Sequence, residues 1–139
     1  MSELNIKTIV VAYDGSEHSK KALLYAISLA RQTKAKLYLV YVVDTSLAEL
    51  YSIPQAYDKI KKKGEELLAE ARGSCAGLDA ECKLLEGDPA EEIIKFAKDV
   101  RADLIVIGSR GLSRLKRILL GSVSARVATE AATSVLIVR

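Results

Sequence analysis

A chain of 139 residues, half of them hydrophobic and 28% charged, can bury one core and reads as a single globular domain over residues 1–139, not a disordered or fibrous polymer. Its net charge is only +3, from 21 basic and 18 acidic residues, which argues against the strong basic field of a nucleic-acid or membrane-surface binder. Any cationic site must be local.

No apolar run approaches the roughly 20 residues of a membrane span. The opening MSELNIKTIVV reaches charged and turn-forming residues too early for a secretory signal, so the expected location is the cytoplasm. Cys75 and Cys82 fit neither C-x-x-C nor a zinc spacing, and read as packing or surface thiols.

The first predicted strand is TIVVAY, Thr8 to Tyr13, continuous and β-branched as strands covered on both faces are. Ser16 then reads as the N-cap of a helix whose stripe is Ala22, Leu23, Ala26, Ile27 and Ala30. His18 falls in its first turn, where exposure without an acid or nucleophile partner is expected. LYLVYVV, Leu37 to Val43, is the second strand. Tyr51 and Tyr57 flank Pro54 in a predicted loop, and a charged helix runs from about Gln55 to Ala76 with Ile60, Leu67, Leu68 and Ala71 inward. Its KIKKK run, Lys59 to Lys63, reads as a solvated face balanced by Glu65, Glu66 and Glu70.

The third strand, Ala80 to Glu86, alternates and suits a sheet edge. Asp88 as cap, Pro89 at the first helical position and Glu91 three residues after the cap open the next helix, with Ile93, Ile94, Ala97 and Val100 inward. LIVIG, Leu104 to Gly108, is the fourth strand. A last helix carries Val123, Val127, Ala128 and Ala131, and VLIV, Val135 to Val138, closes the series.

Strands alternating with helices imply parallel pairing through right-handed crossovers: a three-layer, doubly wound, Rossmann-like α/β fold with five parallel strands in the order 3-2-1-4-5. Ligands bind such sheets beyond the carboxyl ends of the strands, where the winding reverses, here between strands one and four. After strand four, Gly108 and Gly111 can take positive φ and leave no Cβ, letting the backbone fold tightly and come close to a ligand. Gly121 and Ser122 precede a helix whose first amides lack partners, so amides at both ends of this loop can face one anion. Arg114, Lys116 and Arg117 between them read as a solvated basic loop. At about 1.5–3 kcal/mol per hydrogen bond to a charged group, four contacts supply about 6–12 kcal/mol. Micromolar binding needs about 8.2 before ordering costs.

Gly108-x2-Gly111-x9-Gly121-Ser122 resembles the nucleotide loop of the universal stress protein family, in its ATP-binding branch, and IVVAYDGSEHSKKAL and LVYVVD resemble that family's first two strands. The resemblance covers essentially the whole chain. It implies an adenine nucleotide alpha hydrolase-like fold that binds ATP, or AMP or ADP, with Mg or Mn held largely by the phosphates. Carried over by position, Ala12 and Asp14 lie against the nucleoside, Val42 offers backbone groups to adenine, and Ile107 and Gly108 line the base and ribose. Arg110, Gly111, Gly121, Ser122, Val123 and Ser124 surround the phosphates.

The resemblance further implies a homodimer through the final strand, SVLIVR, and a regulatory, stress-response role exerted through a protein partner. Ser134 and Tyr41 depart from the proline and histidine that the family often has there. No G-x-x-x-x-G-K-[ST] is present, so the expectation is binding, with at most slow ATP hydrolysis. The alternative is an adenylate-forming enzyme of the PP-loop kind, though DGSEHS lacks that loop's paired glycines. A receiver domain ranks last, because Asp14 has no acidic neighbour.

Overall fold

The structure is a computed structural model that describes residues 4–45, 53–110 and 120–139. Among these, β1 (Thr8–Ala12), α1 (Glu17–Thr33), β2 (Lys36–Asp44), α2 (Pro54–Arg72), β3 (Ala80–Gly87), α3 (Pro89–Asp99), β4 (Leu104–Gly108), α4 (Ser122–Glu130) and β5 (Ser134–Val138) follow in chain order. All pairings are parallel, and the sheet order is β3-β2-β1-β4-β5, as expected.

The apolar runs of the strands supply two cores because successive residues point to opposite faces. Ile9 and Val11 of β1, Leu37 and Leu39 of β2 and Val106 of β4 pack with the stripe of α1 and with Leu68 and Ala71 of α2. Val10, Val40, Ile105 and Ile107 pack on the other face with Ala90, Ile93 and Ala97 of α3 and Val127 of α4. Ile9, Leu37, Leu39 and Ile105 are fully buried, which stabilises the fold by about 1.5–3 kcal/mol for each such side chain.

Local chemistry starts the helices where the sequence places them. Ser16 accepts the Ser19 amide at 3.2 Å at the head of α1, and Asp88 accepts the Glu91 amide at 3.0 Å at the head of α3. Pro54 opens α2, where its missing N–H costs nothing. Tyr57 therefore lies in the helix expected from about Gln55 and not in the loop before it, and its hydroxyl donates to the Glu86 carboxylate. The same helix ends earlier than expected: Ser74 and Cys75 donate to Ala71 and Arg72, three residues back, and this tightening stops it before Ala76. Tyr51 lies outside the described residues, as do Arg114, Lys116 and Arg117.

Candidate functional site

The winding reverses between β1 and β4. After β1 the chain turns into α1 on one face, and after β4 it returns through α4 on the other. Diverging loops at adjacent strand ends leave a crevice between them. A cleft of about 390 Å³ occupies that place, lined by Ala12 at the end of β1 and Asp14 after it, Val42 and Asp44 of β2, Ile107, Gly108 and Arg110 around the end of β4, and Gly121 to Ser124 at the start of α4.

Ten of the eleven expected site residues thus meet at one cavity; Gly111 lies outside the described residues. Tyr13, Ser19, Val40, Tyr41, Asp44, Ile60, Pro89 and Ile93 line it too, and none was singled out as a site residue beforehand. Val40 and Asp44 carried a usable signal, since they sit two residues either side of Val42 and share its face. Ile60, from the distant α2, carried none.

The two ends of the cleft differ. Around the strand ends the walls are Ala12, Val40, Tyr41, Val42, Ile60, Ile93 and Ile107, which suit a flat apolar group. Tyr41 packs so closely on α2 that a Cβ on Gly64 would lie 2.6 Å from its ring. At the other end α4 begins on Gly121 with no side-chain cap, and its first intrahelical bond runs from Ala125 N–H to Gly121 O at 2.9 Å. The amides of Ser122, Val123 and Ser124 precede that bond and carry the positive end of the helix dipole. Arg110 faces the same end, and its buried Nε has no partner among the described residues.

The head of α1 is closed by contrast. Asp14 Oδ1 accepts the Ser16 amide at 2.9 Å and Ser16 accepts that of Ser19, so two of the donors at this turn are engaged within it. Gly15 makes this turn possible at φ 84°, a conformation costly for other residues. Among the described residues no group of three or more His, Cys, Asp or Glu could hold a metal; the carboxylates on the cleft are Asp14 and Asp44.

Three sequence expectations change. Gly108 does not adopt a positive φ; its missing side chain makes room for α1, because a Cβ there would lie 2.7 Å from the His18 carbonyl carbon. The Gly121 amide does not point at an anion, since it donates to Ser109 O at 2.6 Å. His18 is half-buried and partnered: its Nδ1 lies 2.9 Å from Ser109 Oγ. Each is a contact between segments remote in sequence. Ser124 Oγ likewise donates to Ser109 O at 2.9 Å, so only its amide is available.

Burial pushes the phenols of Tyr13 and Tyr41 above their ordinary value of 10.0, Tyr13 further through Glu70, Asp14 and Glu17, and Tyr41 through Asp14. Burial also raises the Cys75 and Cys82 thiols above 9.0. A group whose folded pKa is raised contributes stability that is complete below its unfolded pKa and lost as pH rises through the folded one. The urea midpoint should therefore hold to about pH 9 and fall above about pH 10, and Tyr41→Phe should blunt the fall. A midpoint flat to about pH 11 contradicts this.

The fold and this cleft define a doubly wound α/β domain with an apolar slot running into an uncapped helix end. The sequence model of the universal stress protein family matches residues 5–139, and the chain belongs to that family. It is 40% identical to universal stress protein MJ0531 of Methanocaldococcus jannaschii, over 96% of this chain and 82% of that one. It is 38% identical to universal stress protein YxiE of Bacillus subtilis, over 94% and 97%. Among solved structures, UspA from Lactobacillus plantarum superposes with a TM-score of 0.89 at 24% identity, covering 99% of this chain and 100% of that one, a likeness of fold. A universal stress protein in complex with cAMP superposes at 0.76 with 31% identity over 98% and 99%. One from Archaeoglobus fulgidus in complex with dAMP superposes at 0.77 with 26% identity over 98% and 100%.

Proposed function

We propose that this universal stress protein is a cytoplasmic ATP-binding regulatory module. The observation that carries the reading is the coincidence, on one cleft, of the uncapped α4 amides with a buried Arg110 Nε that has no partner among the described residues. Unsatisfied donors cost free energy in the empty protein, and an anion removes that cost. Adenine fits the apolar end between Val42 and Ile107, the ribose lies by Ala12 and Asp14, and the phosphates meet the amides of Ser122, Val123 and Ser124 and the Arg110 guanidinium. Relatives in complex with cAMP and dAMP support an adenine nucleotide here. Magnesium or manganese is then carried in on the phosphates, with Asp14 and Asp44 the carboxylates within the cleft to face it.

The closed head of α1 disfavours the adenylate-forming alternative, which would bind phosphates at the loop after β1. Regulation follows if ATP fixes the segment from Gly108 to Ser124 and the surface it shows to a protein partner. The open edge of β5 offers main-chain groups to a second copy, which gives a homodimer.

Calorimetric titration with ATP, ADP, AMP and cyclic AMP, with and without magnesium, tests the reading. ATP should bind at about micromolar Kd, near 8.2 kcal/mol, and more tightly than adenosine. No heat from any of the four overturns it. ATP turnover as fast as a kinase, about 1–100 per second, would favour an enzyme instead.

A further inference from the structure

We propose that His18 positions the anion-binding end of α4 and does so through Ser109; the anion part of this rests on the nucleotide reading above. Ser109 is 2% exposed and all its polar groups are engaged. Its N–H donates to Val138 O at 2.7 Å, and its carbonyl accepts the Gly121 N–H at 2.6 Å and the Ser124 hydroxyl at 2.9 Å. One residue thereby fixes the end of β4 to β5 and to the first turn of α4.

The remaining group, the hydroxyl, reaches α1 and pairs with His18 Nδ1 at 2.9 Å. The backbone of His18 also presses on Gly108, where a Cβ would lie 2.7 Å from its carbonyl carbon and 2.9 Å from its oxygen. The first turn of α1 therefore braces the corner at residues 108 and 109 twice, once by main chain and once by the imidazole. Deleting either partner of this pair, the imidazole or the hydroxyl, removes the side-chain brace between α1 and residue 109. The Ser109 peptide is then held less firmly, the carbonyl that anchors Gly121 and Ser124 moves with it, and the three amides lose their common aim. His18 itself does not line the nucleotide cleft, so the effect is indirect.

The test uses His18→Leu, which deletes the contact, His18→Asn, whose amide can replace Nδ1, Ser109→Ala and the double variant His18→Leu with Ser109→Ala. Hydrogen exchange of the Gly121 amide in ligand-free protein reads the anchor directly. It should accelerate about three- to ten-fold in His18→Leu and in Ser109→Ala, no further in the double variant, and stay near wild type in His18→Asn. The Ala131 amide, bonded to Val127 O at 3.0 Å at the far end of α4, should not change. ATP affinity should fall about three- to ten-fold in the same variants, with adenosine affinity constant.

Unchanged Gly121 exchange in His18→Leu overturns the proposal, as does equal acceleration at Gly121 and Ala131, which marks general loosening. Faster Gly121 exchange with an unaltered ATP-to-adenosine ratio overturns the link to the anion. A wild-type chain that binds no ATP overturns the nucleotide reading, while the exchange result still decides the anchor.

Discussion

Gly108→Val should cost about 3 kcal/mol or more of stability, while Gly121→Val should leave the fold nearly as stable and weaken ATP binding at least about ten-fold. The two glycines belong to one spacing pattern but stand in different surroundings. A Cβ on Gly108 meets His18 backbone at 2.7 and 2.9 Å, and backbone of a packed helix cannot swing aside as a side-chain tip can. Overpacking of this kind takes a large share of the roughly 5–15 kcal/mol that a domain has in hand.

A Cβ on Gly121 lies 3.4 Å from Ser109 O and 3.5 Å from Arg110 Cα, ordinary contacts, and its extended backbone at φ −70° and ψ 166° accepts a β-branched residue. The added methyls then occupy the cleft that Gly121 lines, beside the α4 amides. Thermal unfolding and ATP titration on both variants separate the effects. A Gly108→Val protein as stable as the wild type contradicts the packing argument, and a Gly121→Val protein with undiminished ATP affinity contradicts the phosphate assignment.

Arg110→Leu should weaken ATP binding about ten- to a hundred-fold, the equivalent of one charged hydrogen-bond contact, without lowering thermal stability. The usual expectation for losing a half-buried arginine is destabilisation. Here the buried Nε has no partner among the described residues, so the folded protein already bears the cost of desolvating that donor. Leucine removes the donor and keeps most of the apolar bulk. Affinity and stability then part company, which a purely structural arginine would not show. Adenosine binding, without phosphates, is the internal control and should be unchanged. A parallel drop for ATP and adenosine, or a lowered melting temperature with ATP affinity intact, would assign Arg110 to the frame of the fold instead.

The sequence by itself determined the element types, their order and the parallel, doubly wound class of the sheet, because those follow from local terms and the handedness of crossovers. Continuous β-branched runs, the caps at Ser16 and Asp88 and Pro89 at a first helical position each act within a few residues, and alternation of strand and helix restricts the winding to one hand. The spacing of Gly108, Gly121 and Ser122 also marked the end of the sheet at which the cleft lies, since loops after β1 and β4 meet where the winding reverses.

Tertiary structure alone decided what each of those residues does there. Gly108 is small for the sake of His18, ninety residues earlier in the chain; the Gly121 amide serves Ser109; and Ile60 reaches the cleft from α2. Close approach and hydrogen-bond partnership depend on how separate layers settle against each other. No local pattern in the chain encodes the distance between one helix's first turn and the end of another segment's strand.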